Sequence, residues 1–243
     1  MKKLIVSGDS NTDLNFRSSF HPDWDFSYKK WPQHLADHLG MELVCLGRMG
    51  VGNQYIYHSL LDEIIKTPAD EIGLVVAGWS QAMRKDWQVN DSWKSSRVEQ
   101  DGDLRSWVSK SLRHYVSFQL LCDKFNLPYF HFQMIDFFEA YLNGLPPSAE
   151  EGWGQDYFQP YPGDKEEDTR KILNRIVEYD SIIDNFIGWP GLRKDYELQG
   201  GGFNMHENVF GYTLDNQVSE LDDHPNEAGH KAIADFLIKE MNL

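Results

Sequence analysis

Short apolar runs alternate along the chain with longer segments whose apolar residues recur at helical spacing. Runs rich in β-branched or aromatic residues predict four strands, at 3–7, 42–46, 71–79 and 128–133. Segments with helical periodicity predict five helices, at 31–39, 53–66, 104–125, about 168–187 and 227–241. A fifth strand is expected within 195–214, where the pattern does not fix its bounds.

This order of elements predicts the fold class. Strands that alternate with helices at this pace form right-handed crossovers, so we expect an α/β protein with a doubly wound parallel sheet of about five strands flanked by helices. No linker or repeat divides the chain, and residues 1–243 are predicted to form one domain. Two aromatic-rich loop insertions, near 79–103 and 143–165, are expected to wall a ligand crevice at the carboxyl ends of the strands.

The net charge of the chain indicates which kinds of partner are expected. The 243 residues include 23 Lys and Arg against 38 Asp and Glu, for a net charge of −15. A negative field repels phosphate backbones and anionic membranes, so neither nucleic acid nor membrane is an expected partner, and neutral or cationic ligands are favoured. The first residues resemble a strand rather than a signal peptide, and no apolar stretch approaches the roughly 18 residues of a membrane-spanning helix. A cytoplasmic location is therefore expected.

No metal or cofactor site is predicted. His34 and His38 share one face of a predicted helix, but no third ligand accompanies them. The acidic stretch 163–168 lacks the alternating ligand spacing of a calcium loop and is typical of a solvated helix start.

Two polar motifs at opposite ends of the chain could carry chemistry. Ser10 follows the first predicted strand in Gly-Asp-Ser-Asn, a turn that can present a hydroxyl at the edge of a sheet beside free backbone amides. A serine hydroxyl needs a base that a carboxylate orients, and His224 follows Asp222 and Asp223 just before the last helix. Either motif alone is also common as a turn or a helix cap. Together they favour nucleophilic catalysis.

The segments GDSNT and DDHPNEAGH resemble the first and last sequence blocks of the SGNH (GDSL-like) hydrolases, which are esterases, lipases and carbohydrate deacetylases. The resemblance covers 4–80 and 220–238 and implies a flavodoxin-like, three-layer fold. It implies Ser10 as the nucleophile and as one oxyanion donor, and His224 as the base. The second-block glycine of the family, another backbone donor, corresponds to Gly50, with Gly52 as the alternative.

The sequence departs from the family pattern at two points. The third block of the family reads Gly-x-Asn-Asp, whose asparagine donates to the oxyanion, but Ser80 stands in that place here, with Gln81 as the alternative donor. Loss of one such donor typically lowers turnover about 10²–10³-fold. The usual acid position, three residues before the histidine, is Leu221. Asp222 is therefore the predicted triad acid, and Asp223 remains an alternative.

These observations predict a serine esterase that hydrolyses a small acyl ester, an acetyl ester on a carbohydrate, with activity that rises from pH 6 to 8. Substrate contacts are expected from four residues beside the motifs: Asp9, Asn11, Asn53 and Trp79. Trp24 and Trp87 also fall in loops near the predicted crevice, where flat rings suit sugars or acyl chains. The altered third block leaves two alternatives open, a carbohydrate-binding protein on a weakened hydrolase scaffold and a sugar O-acetyltransferase.

Overall fold

A five-stranded parallel sheet forms the centre of the molecule in the computed structural model, which describes residues 1–96, 102–138, 163–180, 182–188, 202–211 and 213–243. Its strands are β1 (Lys3–Ser7), β2 (Glu42–Cys45), β3 (Ile72–Trp79), β6 (Tyr129–Gln133) and β7 (Phe186–Ile187). They lie in the order β2–β1–β3–β6–β7. The predicted α/β class and strand number are thus confirmed. The strand order reverses direction at β1, and in sheets of this kind ligands bind in the crevice at the carboxyl ends of the strands beside that reversal.

Helices cover both faces of this sheet. The described helices are α1 (Trp31–Leu39), α2 (Asn53–Lys66), α3 (Leu104–Lys124), α4 (Lys165–Asp180) and α5 (Glu227–Met241). Alternate strand residues point to opposite faces, so Leu4 and Val6 pack towards α1 and α5 while Ile5 packs towards α2 and α3. Two buried clusters result, one on each side of the sheet. None of the helices in the described ranges is long and apolar enough to cross a membrane.

Two short hairpins were absent from the predicted elements. One joins β4 (Lys85–Val89) to β5 (Ser92–Ser96) within the predicted 79–103 loop insertion. Its turn residues, Asn90 and Asp91, both have positive φ, which suits a two-residue hairpin turn. The other joins β8 (Gln217–Ser219) to β9 (Asp222–Pro225), so His224 lies on a strand.

The last sheet strand also differs from the prediction. It is the two-residue β7, which lies inside the stretch predicted as the end of a helix, whereas the helix itself ends at Asp180. A strand this short has too few residues to show an alternating pattern, so sequence periodicity could not find it. Most of the predicted 143–165 insertion lies outside the described residues.

Candidate active site

Ser10 lies in a tight turn directly after β1. The backbone amides of Thr12 and Asp13 both donate to the carbonyl of Asp9, at 2.9 and 3.1 Å, and so close the turn around Ser10. A glycine is required at position 8 because a Cβ there would lie 2.2 Å from the Thr12 hydroxyl. The turn therefore holds the Ser10 hydroxyl at the carboxyl edge of the sheet.

Hydrogen bonds join Ser10, His224 and Asp222 in a continuous chain. The Ser10 hydroxyl lies 2.8 Å from Nε2 of His224, and Nδ1 of His224 lies 2.6 Å from Oδ1 of Asp222. Because a carboxylate only accepts, Nδ1 carries the proton in that bond, which leaves Nε2 free to accept from serine. The backbone amide of His224 also donates to Oδ1 of Asp222, at 3.1 Å. This arrangement can take a proton from the Ser10 hydroxyl.

The two neighbouring aspartates have different environments. Asp222 is buried, and although burial raises the pKa of its carboxyl, hydrogen bonds from His224 and Ser18 and the charge of His224 outweigh that effect and lower it overall. Asp223 is 69% exposed, lies 4.0 Å from Nδ1 of His224 and pairs with Nε2 of His206 at 3.3 Å. Asp222 is thus the acid that contacts the imidazole at hydrogen-bond distance.

A segment after the Ser10 turn packs along the β8–β9 hairpin. The Phe16 ring stacks on the His224 ring, with 4.3 Å between centroids, and the Ser18 side chain helps to lower the pKa of the Asp222 carboxyl. Further along, His21 Nε2 lies 2.6 Å from the Ser219 hydroxyl, and the Tyr28 hydroxyl donates to the Pro225 carbonyl at 3.3 Å. We call residues 16–28 the clamp segment because these four contacts follow the hairpin that carries Asp222 and His224.

The polar residues beside Ser10 take part in the hydrogen bonds of the turn, and their predicted substrate contacts stay predictions. Asp9 is fully buried, and its Oδ1 accepts from the backbone amide and the side-chain amide of Asn11, both at 3.1 Å. Its Oδ2 accepts from the Ser80 hydroxyl at 3.1 Å and lies 3.6 Å from Nη1 of Arg84. Asn11 is buried as well. Both side chains thus form hydrogen bonds within the protein.

Asn53 and Trp79 are also internal, and their predicted substrate contacts likewise stay predictions. Asn53 Oδ1 accepts from the Ser80 amide at 2.8 Å, and its Nδ2 donates to the Ser80 carbonyl and the Ser111 hydroxyl at 3.1 and 3.0 Å. Trp79 is fully buried, and its Nε1 donates to Nδ1 of His131 at 3.0 Å. Asn53 therefore ties the start of α2 to the end of β3, and Trp79 belongs to the core.

Ser80, a predicted oxyanion donor, is buried beside Asp9, and its role as a donor stays a prediction. Its hydroxyl has one proton, which it donates to Asp9, and the residue is fully buried. Gln81, the next residue, is only partly buried at the end of β3. It is the side-chain amide nearest in sequence to the family's asparagine position.

The loop before α2 carries the candidate backbone donors. The amide of Gly52 donates to Oδ1 of Asp86 at 2.8 Å, so this alternative donor is already engaged. Gly50 has a φ of 80°, and a Cβ there would meet nothing within 4 Å, so glycine is needed for the backbone conformation and not for lack of space. Asp86 also accepts from the Tyr55 amide at 2.9 Å and thereby holds this loop against the β4–β5 hairpin.

Sequence reasoning did not identify several residues that build the site. Phe16 and Ser18 carry no motif, and their contacts with His224 and Asp222 arise only because the clamp segment folds over the hairpin. Arg84 and Asp86 lie in a stretch predicted as a loop, yet both are buried and bonded to the loop before α2. The alternating polar and apolar residues around Asn90-Asp91 were the available signal for this hairpin.

Among the described residues, Asp222, Asp223 and His224 form the cluster whose possible metal-ligand atoms approach within 4.8 Å of one another. Nδ1 of His224 is occupied by Asp222, and its Nε2 faces Ser10. The donor set therefore suits proton transfer better than metal coordination.

Solved structures of other proteins share the overall fold of this chain. No family model matches the sequence, and no curated protein matches it significantly. A protein assigned to the G-D-S-L family of lipolytic proteins, from Desulfitobacterium hafniense DCB-2, superposes with a TM-score of 0.50 at 12% identity over 98% of this chain and 99% of that chain. The psychrotrophic esterase EstA from Pseudoalteromonas sp. superposes with a TM-score of 0.51 at 11% identity over 100% and 97%. The chain has the fold of these G-D-S-L lipolytic proteins and esterases.

Proposed function

We propose that the protein is a serine esterase that hydrolyses small acyl esters, with acetylated carbohydrate as the substrate class. The observation that carries this proposal is the hydrogen-bonded chain from Ser10 through His224 to Asp222, at 2.8 and 2.6 Å. Such a chain supplies a nucleophile, a general base and an orienting acid in one arrangement.

The reaction proceeds in two steps. Nε2 of His224 takes the proton of the Ser10 hydroxyl while Oγ attacks the ester carbonyl carbon. His224 then returns that proton to the departing alcohol, which leaves an acyl group on Ser10. In the second step His224 takes a proton from water, the resulting hydroxide attacks the acyl carbon, and Ser10 regains its proton as the acid departs.

Negative charge develops on the carbonyl oxygen in both steps. The backbone amides of Ser10 and Gly50 are the proposed donors to it, since the Gly52 amide is bonded to Asp86. Gln81 is the proposed third donor in place of the Ser80 hydroxyl, which is bonded to Asp9. Replacing Gln81 by Ala should lower kcat about 10-fold or more, with little change in KM.

Acetate release from p-nitrophenyl acetate and from acetylated monosaccharides tests the activity. The wild type should release acetate, and Ser10→Ala should lose at least about 10³-fold of the rate. Ser106→Ala, which changes a serine at the start of α3, should retain it. Faster formation of acetylated sugar than of acetate, with an acceptor present, would indicate an acetyltransferase instead. Sugar binding without release would indicate a binding protein.

A further inference from the structure

Trp24 is an exposed aromatic residue that stacks on His21, a residue bonded to the hairpin that carries Asp222 and His224. Half of its side-chain surface faces solvent, and it is the one exposed large apolar residue of the clamp segment. The His21 ring stacks on the indole with 3.9 Å between centroids and 15° between planes. One face of the indole is therefore covered, and the exposed surface belongs to the rest of the ring.

His21, whose ring stacks on the indole, is hydrogen-bonded to the β8–β9 hairpin. His21 Nε2 lies 2.6 Å from the Ser219 hydroxyl, and Ser219 pairs with Asp222 across β8 and β9. The backbone amide of Trp24 donates to the His21 carbonyl at 3.2 Å, which ties the two rings through the main chain as well. An aromatic ring that is positioned before binding loses little conformational freedom when a ligand covers it.

The surroundings of Trp24 suit a sugar ring. Flat indole surfaces pack against the C–H face of a pyranose, while polar groups at the edge bond its hydroxyls. Asp23 and Asp25 flank Trp24; Asp23 is exposed, and Asp25 accepts from the backbone amide and the hydroxyl of Ser27. An acyl chain would need an apolar wall, whereas the neighbours here are charged side chains and an imidazole. Arg17 and Lys30 also act on Asp25, but the net charge of −15 disfavours an anionic sugar.

We propose that Trp24, supported by His21, is a binding subsite for a neutral sugar ring of the substrate. The link to catalysis rests on the proposed esterase function, but the binding site itself does not. Trp24 is thus a specificity residue outside the Ser10–His224–Asp222 chain.

Fluorine NMR tests the binding site without turnover. The Ser10→Ala protein, labelled with 5-fluorotryptophan at its eight tryptophans, is titrated with cellotriose, xylotriose, triacetylchitotriose and the anionic trigalacturonate. Trp24→Phe assigns the Trp24 resonance, and Trp107→Phe assigns the control, a buried tryptophan on α3. At least one neutral trisaccharide should shift the Trp24 resonance in a saturable way. The Trp107 resonance should stay unchanged, and trigalacturonate should shift neither.

Kinetics supply the second measurement. Trp24→Ala should raise KM about tenfold for an acetylated trisaccharide and leave p-nitrophenyl acetate hydrolysis within about twofold. A Trp24 resonance unmoved by all three neutral trisaccharides, with KM unchanged in Trp24→Ala, overturns the subsite while leaving the esterase intact. Sugar-dependent shifts in a protein that hydrolyses no ester would retain the subsite and refute the esterase proposal.

Discussion

The ring of Phe16 stacks on the imidazole of His224, with 4.3 Å between centroids and 27° between planes. Phe16 is itself buried against Phe26, whose ring lies edge-on at 5.7 Å. The imidazole is therefore fixed on one side by an aromatic face and at its two nitrogens by Ser10 and Asp222. This contact joins the clamp segment to the proposed chemistry.

Phe16→Leu tests that contact. Loss of the stacked ring should let the imidazole rotate away from Ser10, so we expect kcat to fall about three- to tenfold with KM within twofold. Steady-state kinetics well below the melting temperature would measure this. Phe125→Leu, which changes a partly exposed ring after α3, is the matched control and should retain kcat. An unchanged kcat in Phe16→Leu would mean that the stack only fills space.

The neighbouring aspartates should respond differently to the same substitution. Asp222→Asn removes the acceptor that holds the proton of His224 on Nδ1, so kcat should fall about 10²–10⁴-fold. Asp223→Asn changes a residue that is 69% exposed and paired with His206, and kcat should stay within about threefold. Turnover of p-nitrophenyl acetate by the two variants measures the difference. The reverse order of effects would assign the acid to Asp223.

Acid should weaken the fold partly through Asp222. Although burial raises its pKa, bonds from His224 and Ser18 lower it overall, so the folded pKa lies below the unfolded one. A carboxyl of this kind stabilises the fold above its unfolded pKa and loses that contribution as the pH falls below about 4. Urea unfolding between pH 3 and 7 should therefore show wild type and Asp222→Asn converging in stability at the acid end.

The control for that titration is Asp62→Asn, which changes an exposed carboxyl on α2. The difference in unfolding free energy between this variant and the wild type should not vary across the same pH range. A constant difference for Asp222→Asn as well would show that its carboxyl has the same pKa in both states.

Asn53→Ala should affect stability more than substrate affinity. The substitution removes three hydrogen bonds and leaves the buried amide and carbonyl of Ser80 without their Asn53 partner. We expect a loss of about 2–4 kcal/mol in the free energy of unfolding, measured by urea denaturation. A normally stable variant with a raised KM would instead support the original prediction that Asn53 contacts substrate.

The sequence predicted the central sheet and the flanking helices because their apolar residues are periodic. Strands β1, β2, β3 and β6 and helix α2 lie within two residues of their predicted bounds. The motifs also identified Ser10, Asp222 and His224, which the fold brings together from 214 positions apart. The two-residue β7 was missed because periodicity needs more residues than it has.

Roles of polar residues were harder to predict than their positions. Asp9, Asn11 and Asn53 lie beside the motifs, where a polar side chain can either face a ligand or satisfy buried backbone groups. Burial and hydrogen-bond partners decide between these roles, and both depend on residues distant in sequence, such as Arg84 and Ser111. In the same way, the sequence does not show whether the Trp79 ring faces a ligand or the core, and in the structure it packs in the core against Tyr115.

The most direct test of the central claim is reaction with a fluorophosphonate probe, followed by peptide mass spectrometry to locate the adduct. We expect an adduct on Ser10 in the wild type and its loss in His224→Ala, since His224 is the proposed base that activates the hydroxyl. Absence of any adduct on Ser10 in folded wild-type protein, or an adduct that persists at the same rate in His224→Ala, would contradict it.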